Sequence, residues 1–270
     1  MDMGEVKRMS EKIKVSVVTV CYNEVADIVA TLQSVTEQTY GEIEHIVQDG
    51  GSVDGTVEII RQYACGRAKV VMDSAKDGGI YYGMNAGLSK CTGDYVIFCN
   101  GGDRFASEDV IEQMVAKASA EGLPDLVYGD CASEVNGQLM VRTAHGPGFI
   151  NMGMPAAHES MMYKLSLVNE LHLKYDTSYR IGADYKFTYQ FVRCAKRFAY
   201  VSKPIIVFSE GGVSTAQKWR GMFECSRARK EAGGISLSKR AFIVMMQAAV
   251  LAFSGVLGPL YRFIRLKRVS

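Results

Sequence analysis

The amino-acid sequence predicts an α/β fold whose core is a mainly parallel, Rossmann-like sheet. Short runs of β-branched and apolar residues alternate with segments of helical periodicity, as in successive βαβ units. Glycine, asparagine or aspartate follows most of these runs closely, which marks the ends of strands. The chain has 270 residues, 48% of them hydrophobic, so it can bury the core of one large domain.

The first hundred residues contain four predicted strands, at residues 13–21, 43–48, 69–72 and 95–99. Asn23 is the expected N-cap of the first helix. The apolar residues of that helix recur at helical spacing, at Ile28, Leu32 and Val35. A second helix follows the turn at residues 49–56, and a third spans residues 79–88. This alternation is the pattern that places strands side by side in a parallel sheet.

The remaining elements of the domain are less regular. They are a helix at 108–120, strands at 126–128 and 138–143, a loop at 145–157, helices at 164–171 and 184–194, and an extended segment at 198–208. Asn136-Gly137 lies between the two strands and is a strong signal for a hairpin turn.

The C-terminal part of the chain differs in composition. Residues 241–261 carry no formal charge, and basic residues stand on both sides of this run. A helix of this length just spans a bilayer at ~1.5 Å per residue, but a crossing would place one basic cluster on the wrong side. We favour a helix lying in the membrane interface, and a helix that covers the domain's own surface stays open.

Overall composition excludes several classes of protein. The formal net charge is +2, which argues against a dedicated nucleic-acid-binding protein. Seven scattered cysteines without a C-x-x-C pair indicate free thiols in a reducing compartment. Residues 1–14 are polar and charged, unlike a secretory signal peptide, so we expect a cytoplasmic catalytic domain.

The residues most suited to binding a ligand follow the ends of the predicted strands. Residues 94–103 predict a buried strand that runs into Gly101, Gly102 and Asp103. Glycine lets the backbone approach a ligand closely, and open α/β sheets bind ligands at the carboxyl ends of their strands. A hard cation held between carboxylates and nucleotide phosphates suits such a position. Polar or acidic residues also follow the other three strands, at Tyr22 and Asn23, Asp49, and Asp77.

Five segments together resemble the family 2 glycosyltransferases, which have the nucleotide-diphospho-sugar transferase fold. They are SVVTVCYNE (16–24), QDGGSVDGT (48–56), DGGIYYGMNAG (77–87), GDYVIFCNGGD (93–103) and YRIGADY (179–185). Their order and spacing match the family over residues 13–215. The chain is most similar to enzymes of bacterial capsule and exopolysaccharide synthesis, such as the colanic acid transferases.

The resemblance implies a UDP-sugar donor and a set of donor-binding residues. Tyr22 would stack on the base and Asp49 would accept a hydrogen bond from the uracil imide. Asp77 and Asn85 would line the diphosphate and sugar. The full donor-binding set is Thr19, Tyr22, Glu24, Asp49, Asp77, Asn85, Asn100 and Gly102.

The resemblance also implies a metal and a general base. Asp103 would hold Mg²⁺ or Mn²⁺, with Gly101 and Gly102 standing where partner acids are often found. Asp184 would take the proton of the acceptor hydroxyl in a single inverting displacement, although an Asp here could also simply cap a helix.

Other segments are assigned roles by the same resemblance. His158 and Glu159 match an acceptor-side segment, although we favour a structural histidine for His158. Residues 209–214 suggest a loop that closes over bound donor.

The resemblance predicts how the chain is organised. Residues 1–12 form an extension, residues 13–225 the glycosyltransferase domain and residues 226–270 a helical, membrane-associating tail. Within the domain, residues 13–105 form the donor-nucleotide half and residues 106–225 the acceptor half. The expected acceptor is a lipid-linked saccharide at the inner face of the cell membrane, where anionic lipids attract a basic tail.

Two other functions remain open from sequence alone. A sugar nucleotidyltransferase shares the fold class but would need a basic, glycine-rich phosphate loop near the first strand, and residues 18–24 have none. A non-catalytic nucleotide-sugar or glycan-binding module remains possible because Gly101 and Gly102 replace acids.

Overall fold

The computed structural model describes residues 12–135, 138–209, 217–256 and 267–268. Its strands form a sheet, and the parallel strands from the first hundred residues make up one half of it. The strands are β1 (Val15–Cys21), β2 (Ile43–Asp49), β3 (Val70–Ser74), β4 (Tyr95–Phe98), β5 (Arg104–Phe105), β6 (Leu126–Val135), β7 (Gln138–Arg142), β8 (Met161–Lys164), β9 (Phe198–Phe208) and β10 (Lys267–Arg268).

Helices connect these strands and cover the sheet. They are α1 (Ile28–Thr36), α2 (Thr56–Ala64), α3 (Ile80–Leu88), α4 (Val110–Ala120), α5 (Leu165–Glu170), α6 (Ala183–Cys194), α7 (Lys218–Glu231) and α8 (Leu237–Val256). Two short 3₁₀ helices span Pro147–Asn151 and His158–Ser160.

The described strands form one mixed sheet with the order β10-β7-β6-β8-β4-β1-β2-β3, and β9 pairs with β5 and β6. β1 lies between β2 and β4 and is parallel to both, in a register that pairs Cys21 with Asp49. Their carboxyl ends therefore meet at one edge of the sheet, as the sequence predicted. Antiparallel strands β8, β6 and β7 extend the sheet on the other side of β4.

The core lies on both faces of β1, where all seven residues are buried. Val18 and Val20 pack with the face covered by α3, α5 and α6, whereas Val15 and Val17 pack with the face covered by α4. Successive residues of a strand point to opposite faces, so this alternation is the one expected for a strand buried between two layers of helices. The predicted α/β fold class is confirmed.

Three details differ from the predictions. β8 was not predicted, and it inserts between β4 and β6. Asn23 is not a helix cap: its φ is 53°, its Oδ1 accepts a hydrogen bond from the Val53 N–H at 3.0 Å, and α1 begins after Asp27. The predicted domain boundary after residue 225 falls inside α7.

The C-terminal predictions are only partly covered by the described residues. α8 begins before the uncharged run and is described to Val256, whereas the basic flank at residues 262–268 lies mostly outside the described part, as does the turn at Asn136-Gly137. Across the residues that the structure describes, no helix has the length and apolar character needed to cross a membrane.

Candidate active site

Tyr22, Gly50 and Asp77 come together at the carboxyl edge of β1 and β2. A Cβ atom placed on Gly50 would lie 3.3 Å from Cδ2 of Tyr22 and 3.4 Å from Oδ1 of Asp77. The absent side chain thus lets the ring and the carboxylate approach this loop. The Tyr22 side chain is 59% exposed, so its ring offers a free face for stacking. Asp77 Oδ1 also accepts the Gly79 N–H at 2.8 Å, at the start of α3.

Asp49 is buried at the end of β2 and organises the loop that follows. Its Oδ2 accepts the N–H groups of Gly51 and Ser52 at 2.9 Å and the Ser74 hydroxyl at 2.7 Å. Burial opposes ionisation, but these hydrogen bonds outweigh it and hold the pKa of the Asp49 carboxyl below its ordinary value. Asp49 therefore fixes the loop beside Tyr22, and its contact with a base stays a prediction.

Thr19 occupies a structural position, contrary to the prediction that it contacts the donor. Its side chain is fully buried, and its hydroxyl bridges the Cys99 carbonyl at 2.8 Å and His45 Nε2 at 2.9 Å. Both ends of the Asn85 amide bond the backbone of Tyr175, each at 2.8 Å. The half-buried amide of Asn85 keeps a second N–H group and a second lone pair, so its contact with the donor stays a prediction.

Asp103 lies at a turn that Glu24 approaches closely. A Cβ atom on Gly101 would lie 3.1 Å from Cγ of Glu24, and one on Gly102 would lie 3.8 Å from its Oε2. Gly102 has a φ of +89°, which favours glycine. Asp103 Oδ1 accepts the Ser209 N–H at 3.3 Å, so the start of the predicted closing loop reaches this turn. Residues 210–214 of that loop lie outside the described residues.

Glu159 comes from a distant part of the chain and lies near Asn100 and Asp103. Asn100 Nδ2 donates to Glu159 Oε1 at 2.9 Å, while the buried Asn100 Oδ1 has no hydrogen-bond partner among the described residues. Burial raises the pKa of Glu159. Burial and then the nearby Glu159 carboxylate, with a smaller effect of Glu24, raise the pKa of Asp103 to about 8. The carboxylates of Asp103, Glu159 and Glu24 therefore repel one another when they are ionised.

Asp184 shares this environment from the first turn of α6. Burial raises the pKa of Asp184 to about 7, and the carboxylates of Glu159 and Glu224 add to the effect. Glu159 thus raises the pKa of both Asp103, the predicted metal ligand, and Asp184, the predicted base. A pKa near neutrality is what a general base requires.

His158 lies in the aromatic core, in the structural role that the sequence favours over a contact with the acceptor. It is 5% exposed, its Nε2 pairs with the Tyr175 hydroxyl at 2.7 Å, and its ring packs against Phe98 and Tyr163. Burial lowers the pKa of His158 to about 3, so the ring is neutral. The histidine fixes the short 3₁₀ helix that presents Glu159.

The oxygen atoms around Asp103 suit a hard cation that takes few of its ligands from the protein. Among the residues described, no three His, Cys, Asp or Glu side chains cluster closely enough to hold a metal ion by themselves. The free Asn100 Oδ1 and the uncompensated carboxylates around Asp103 nevertheless form an oxygen-rich, negatively charged environment. Mg²⁺ commonly binds through one or two carboxylates and completes its shell with phosphate oxygens and water.

Glu224 and Tyr81 support this site, and neither was among the site residues predicted from the sequence, although Tyr81 lies within the segment 77–87. Glu224 of α7 accepts backbone N–H groups from the turn before Asp184, and the Tyr81 hydroxyl donates to the Ile181 carbonyl in the same turn. Their supporting role could not be inferred from the sequence, because each contact is made with backbone atoms distant in the chain.

Comparisons with known proteins agree with this architecture. The model of the family "Glycosyl transferase family 2" matches residues 16–152, just over half of the chain. An uncharacterized glycosyltransferase of Mycobacterium tuberculosis is 32% identical over 206 residues, covering 74% of each protein.

Two solved structures share the fold. TarS of S. aureus in complex with UDP aligns with a TM-score of 0.65 at 19% identity, over 86% of this chain and 70% of that one. The mannosyltransferase PcManGT from Pyrobaculum calidifontis, in complex with GDP-Man and Mn²⁺, aligns with a TM-score of 0.60 at 18% identity, over 92% and 76%. These two likenesses concern the fold, whereas the family model and the 32% identical relative confirm the predicted family: the chain belongs to the family 2 glycosyltransferases.

Proposed function

We propose that the chain is an inverting glycosyltransferase that moves a sugar from a UDP-sugar to a hydroxyl group of a lipid-linked saccharide in bacterial polysaccharide synthesis. The observation that carries this proposal is the position of Glu159, which accepts a hydrogen bond from Asn100 in the turn that bears Asp103 and whose carboxylate also raises the pKa of Asp184. It supports a single site in which one acid serves the diphosphate and another serves the acceptor. The fold likeness to TarS in complex with UDP supports a uridine nucleotide as donor.

In the proposed reaction, Asp184 accepts the proton of the acceptor hydroxyl as that oxygen attacks the anomeric carbon. The new carbon–oxygen bond forms on the face opposite the diphosphate. The old bond breaks and its electron pair leaves with UDP, so the configuration inverts in one step. Tyr22 and Asp77, which both approach Gly50, are proposed to contact the donor, whose base would stack on the exposed Tyr22 ring.

Asp103 is the residue proposed to hold Mg²⁺ or Mn²⁺. When bound there, the cation would neutralise the negative charge on the departing nucleoside diphosphate. Asn100 and Glu159 keep this side of the site polar through their mutual hydrogen bond. The likeness to a mannosyltransferase in complex with Mn²⁺ supports this assignment.

Turnover is expected to depend on pH through Asp184. Only the ionised carboxylate can accept the proton, and the pKa of Asp184 is raised to about 7. We therefore expect kcat, measured at saturating donor, acceptor and Mn²⁺, to be constant at alkaline pH and to fall as the pH drops through about 7. A kcat that stayed constant down to pH values near 4, the ordinary range of a carboxylate, would contradict the assignment.

A panel of nucleotide sugars tests the proposed function directly. We would measure the melting temperature of the protein with UDP- and GDP-sugars, each with and without Mn²⁺, and then assay transfer from every donor that stabilises it. A ligand that binds the native state must raise the apparent melting point. Stabilisation by UDP-sugars that needs Mn²⁺ is the expected result, and stabilisation by GDP-sugars alone would contradict the proposed donor.

The C-terminal helices offer the surface that we propose to contact the membrane. Trp219 and Phe223 lie one turn apart on α7 and are 52% and 60% exposed, and Phe242 and Met245 of α8 are 54% and 62% exposed. Lys239 is an exposed cation on α8. Exposed apolar side chains with basic residues nearby suit an anionic lipid surface.

Binding to vesicles is expected to depend on this face. Replacing Phe242 and Met245 together by Asp should weaken binding to vesicles that contain phosphatidylglycerol by at least about tenfold. The reason is that two apolar side chains that would enter the lipid are lost. Cosedimentation measures the effect, with Val71→Asp on the edge strand β3 as a control for added charge. Equal binding of the double variant and the wild type would contradict the proposed contact.

A further inference from the structure

We propose that Glu224 of α7 is a positioning residue for Asp184, because it holds the turn of residues 180–182 from which α6 begins. The proposal rests on the proposed function, in which Asp184 is the general base. It gives α7 a part in the active site, although this helix lies beyond the segment that the family model matches.

The Glu224 carboxylate accepts hydrogen bonds from three consecutive backbone N–H groups. Glu224 Oε2 accepts the N–H groups of Ile181 and Gly182, both at 2.9 Å, and Oε1 accepts that of Arg180 at 3.2 Å. Gly182 is the N-cap residue of α6, and Arg180 and Ile181 precede it. The first N–H groups of a helix, which include that of the N-cap residue, lack partners within the helix and favour an anion. Glu224 therefore bonds the N-cap N–H of α6 and ties the two residues before it to α7.

The contact is close and leaves the turn little freedom. A Cβ atom on Gly182 would lie 3.0 Å from Cβ of Glu224, so glycine permits this approach. From the opposite side, the Tyr81 hydroxyl of α3 donates to the Ile181 carbonyl. The turn is thus held between α7 and the helix that begins at the donor side of the site. Asp184 lies in the first turn of α6, so its position follows that of the turn.

The charge of Glu224 also acts on Asp184. Burial opposes the ionisation of Glu224, but the three N–H groups and Arg220 outweigh it and lower its pKa, so it stays negative. The groups that act on Asp184 from its neighbouring elements are the carboxylates of Glu159 and Glu224, the hydroxyls of Tyr81, Tyr163 and Tyr175, and the thiol of Cys225. Glu224 is thus one of two carboxylates that disfavour ionisation of Asp184.

Glu224→Gln in the full chain separates positioning from simple support of the fold. The amide keeps one acceptor oxygen but turns an NH₂ group toward the backbone donors, so the turn should loosen. We expect kcat to fall about tenfold or more while the donor KM stays within about twofold, since a small misplacement of a catalytic group lowers the rate. The acid limb of the kcat profile should also move to lower pH, because Asp184 loses a negative neighbour.

Glu231→Gln is the matched control on the same helix. Glu231 also joins α7 to α6, through Lys186 at 2.6 Å, and accepts the Tyr179 hydroxyl at 2.8 Å, but its hydrogen bonds do not involve the backbone of residues 180–182. It should keep the wild-type kcat and acid limb. Tyr81→Phe is the second test should Glu224→Gln fail to fold, and it should lower kcat about threefold or more without moving the acid limb, because it removes an uncharged hydrogen bond.

The outcomes distinguish this proposal from the proposed function. If Glu224→Gln, or Tyr81→Phe in its place, keeps the wild-type kcat and acid limb while Asp184→Asn is inactive, the positioning role is overturned and the general base stands. If Asp184→Asn transfers sugar as fast as the wild type, both the proposed function and the role of Glu224 are wrong.

Discussion

Asp184→Asn is expected to lower kcat for sugar transfer about 1,000-fold, because a positioned general base contributes roughly 100- to 10,000-fold to a rate. Asparagine is nearly isosteric with aspartate but cannot accept the proton of the acceptor hydroxyl. Since Asp184 is assigned to the acceptor and not to the nucleotide, the variant should bind UDP with Mn²⁺ within about twofold of wild-type affinity. Single-turnover transfer assays and isothermal titration measure the two quantities.

Asp176→Asn provides the matched control for this variant. Asp176 is an acid of the same half of the domain and pairs with Lys186 of α6 at 2.7 Å, so the substitution also removes a carboxylate that contacts α6. It should leave kcat within about threefold of the wild type, as expected for a partly exposed ion pair. Comparable losses in both variants would show that transfer responds to disturbance of α6 and not to loss of a base.

Asp103→Asn is expected to lower kcat/KM for the donor on the order of 100-fold and to weaken the response to Mn²⁺, because charge stabilisation by a metal is worth several kcal/mol. Asp103 is the one protein carboxylate proposed to hold the cation. The neutral amide would also relieve the crowding of negative charge with Glu159 and Glu24, so the variant should fold at least as stably as the wild type. Transfer measured across a series of Mn²⁺ concentrations, with a parallel thermal melt, tests both points.

Asp109→Asn is the control for Asp103. Asp109 lies just before α4 and is bonded to Ser107 and Gln113, away from the carboxylates of the site. It should retain the wild-type dependence on Mn²⁺. An Asp103→Asn variant with unchanged Mn²⁺ dependence would place the metal elsewhere or make the reaction independent of it.

The parallel half of the fold could be predicted because its physical signal is local. β1 and β2 are short, strongly apolar runs buried between layers of helices, and the residues that follow them must lie at one edge of the sheet. Tyr22 and Asp103 were found by this rule. β8 gave no such signal, since its four residues, MMYK, contain no β-branched side chain, and its place is set by pairing with β4 and β6.

Residues within a motif could not be sorted into ligand contacts and supports from the sequence. Thr19 belongs to the same segment as Tyr22, yet it lies inside the sheet and bonds two neighbouring strands. Asn85 belongs to the same segment as Asp77 but bonds the backbone of Tyr175. A strand such as β1, which is buried on both faces, gives no pattern that separates the two cases, and the partners of Asn85 lie far away in the chain.

Glu224 shows a second limit of sequence reasoning. Its partners are backbone N–H groups more than forty residues earlier in the chain, and a backbone donor leaves no trace in the identity of the residue that carries it. Only the packing of α7 against α6 brings the carboxylate to the turn.

A crystal structure of the protein soaked with UDP and Mn²⁺ tests the central claim most directly. The account predicts the uracil ring against Tyr22, the diphosphate beside Asp77, a metal ion ligated by Asp103, and Asp184 left free across the same hollow. UDP bound at another surface, or a metal ion that does not touch Asp103, would contradict the account.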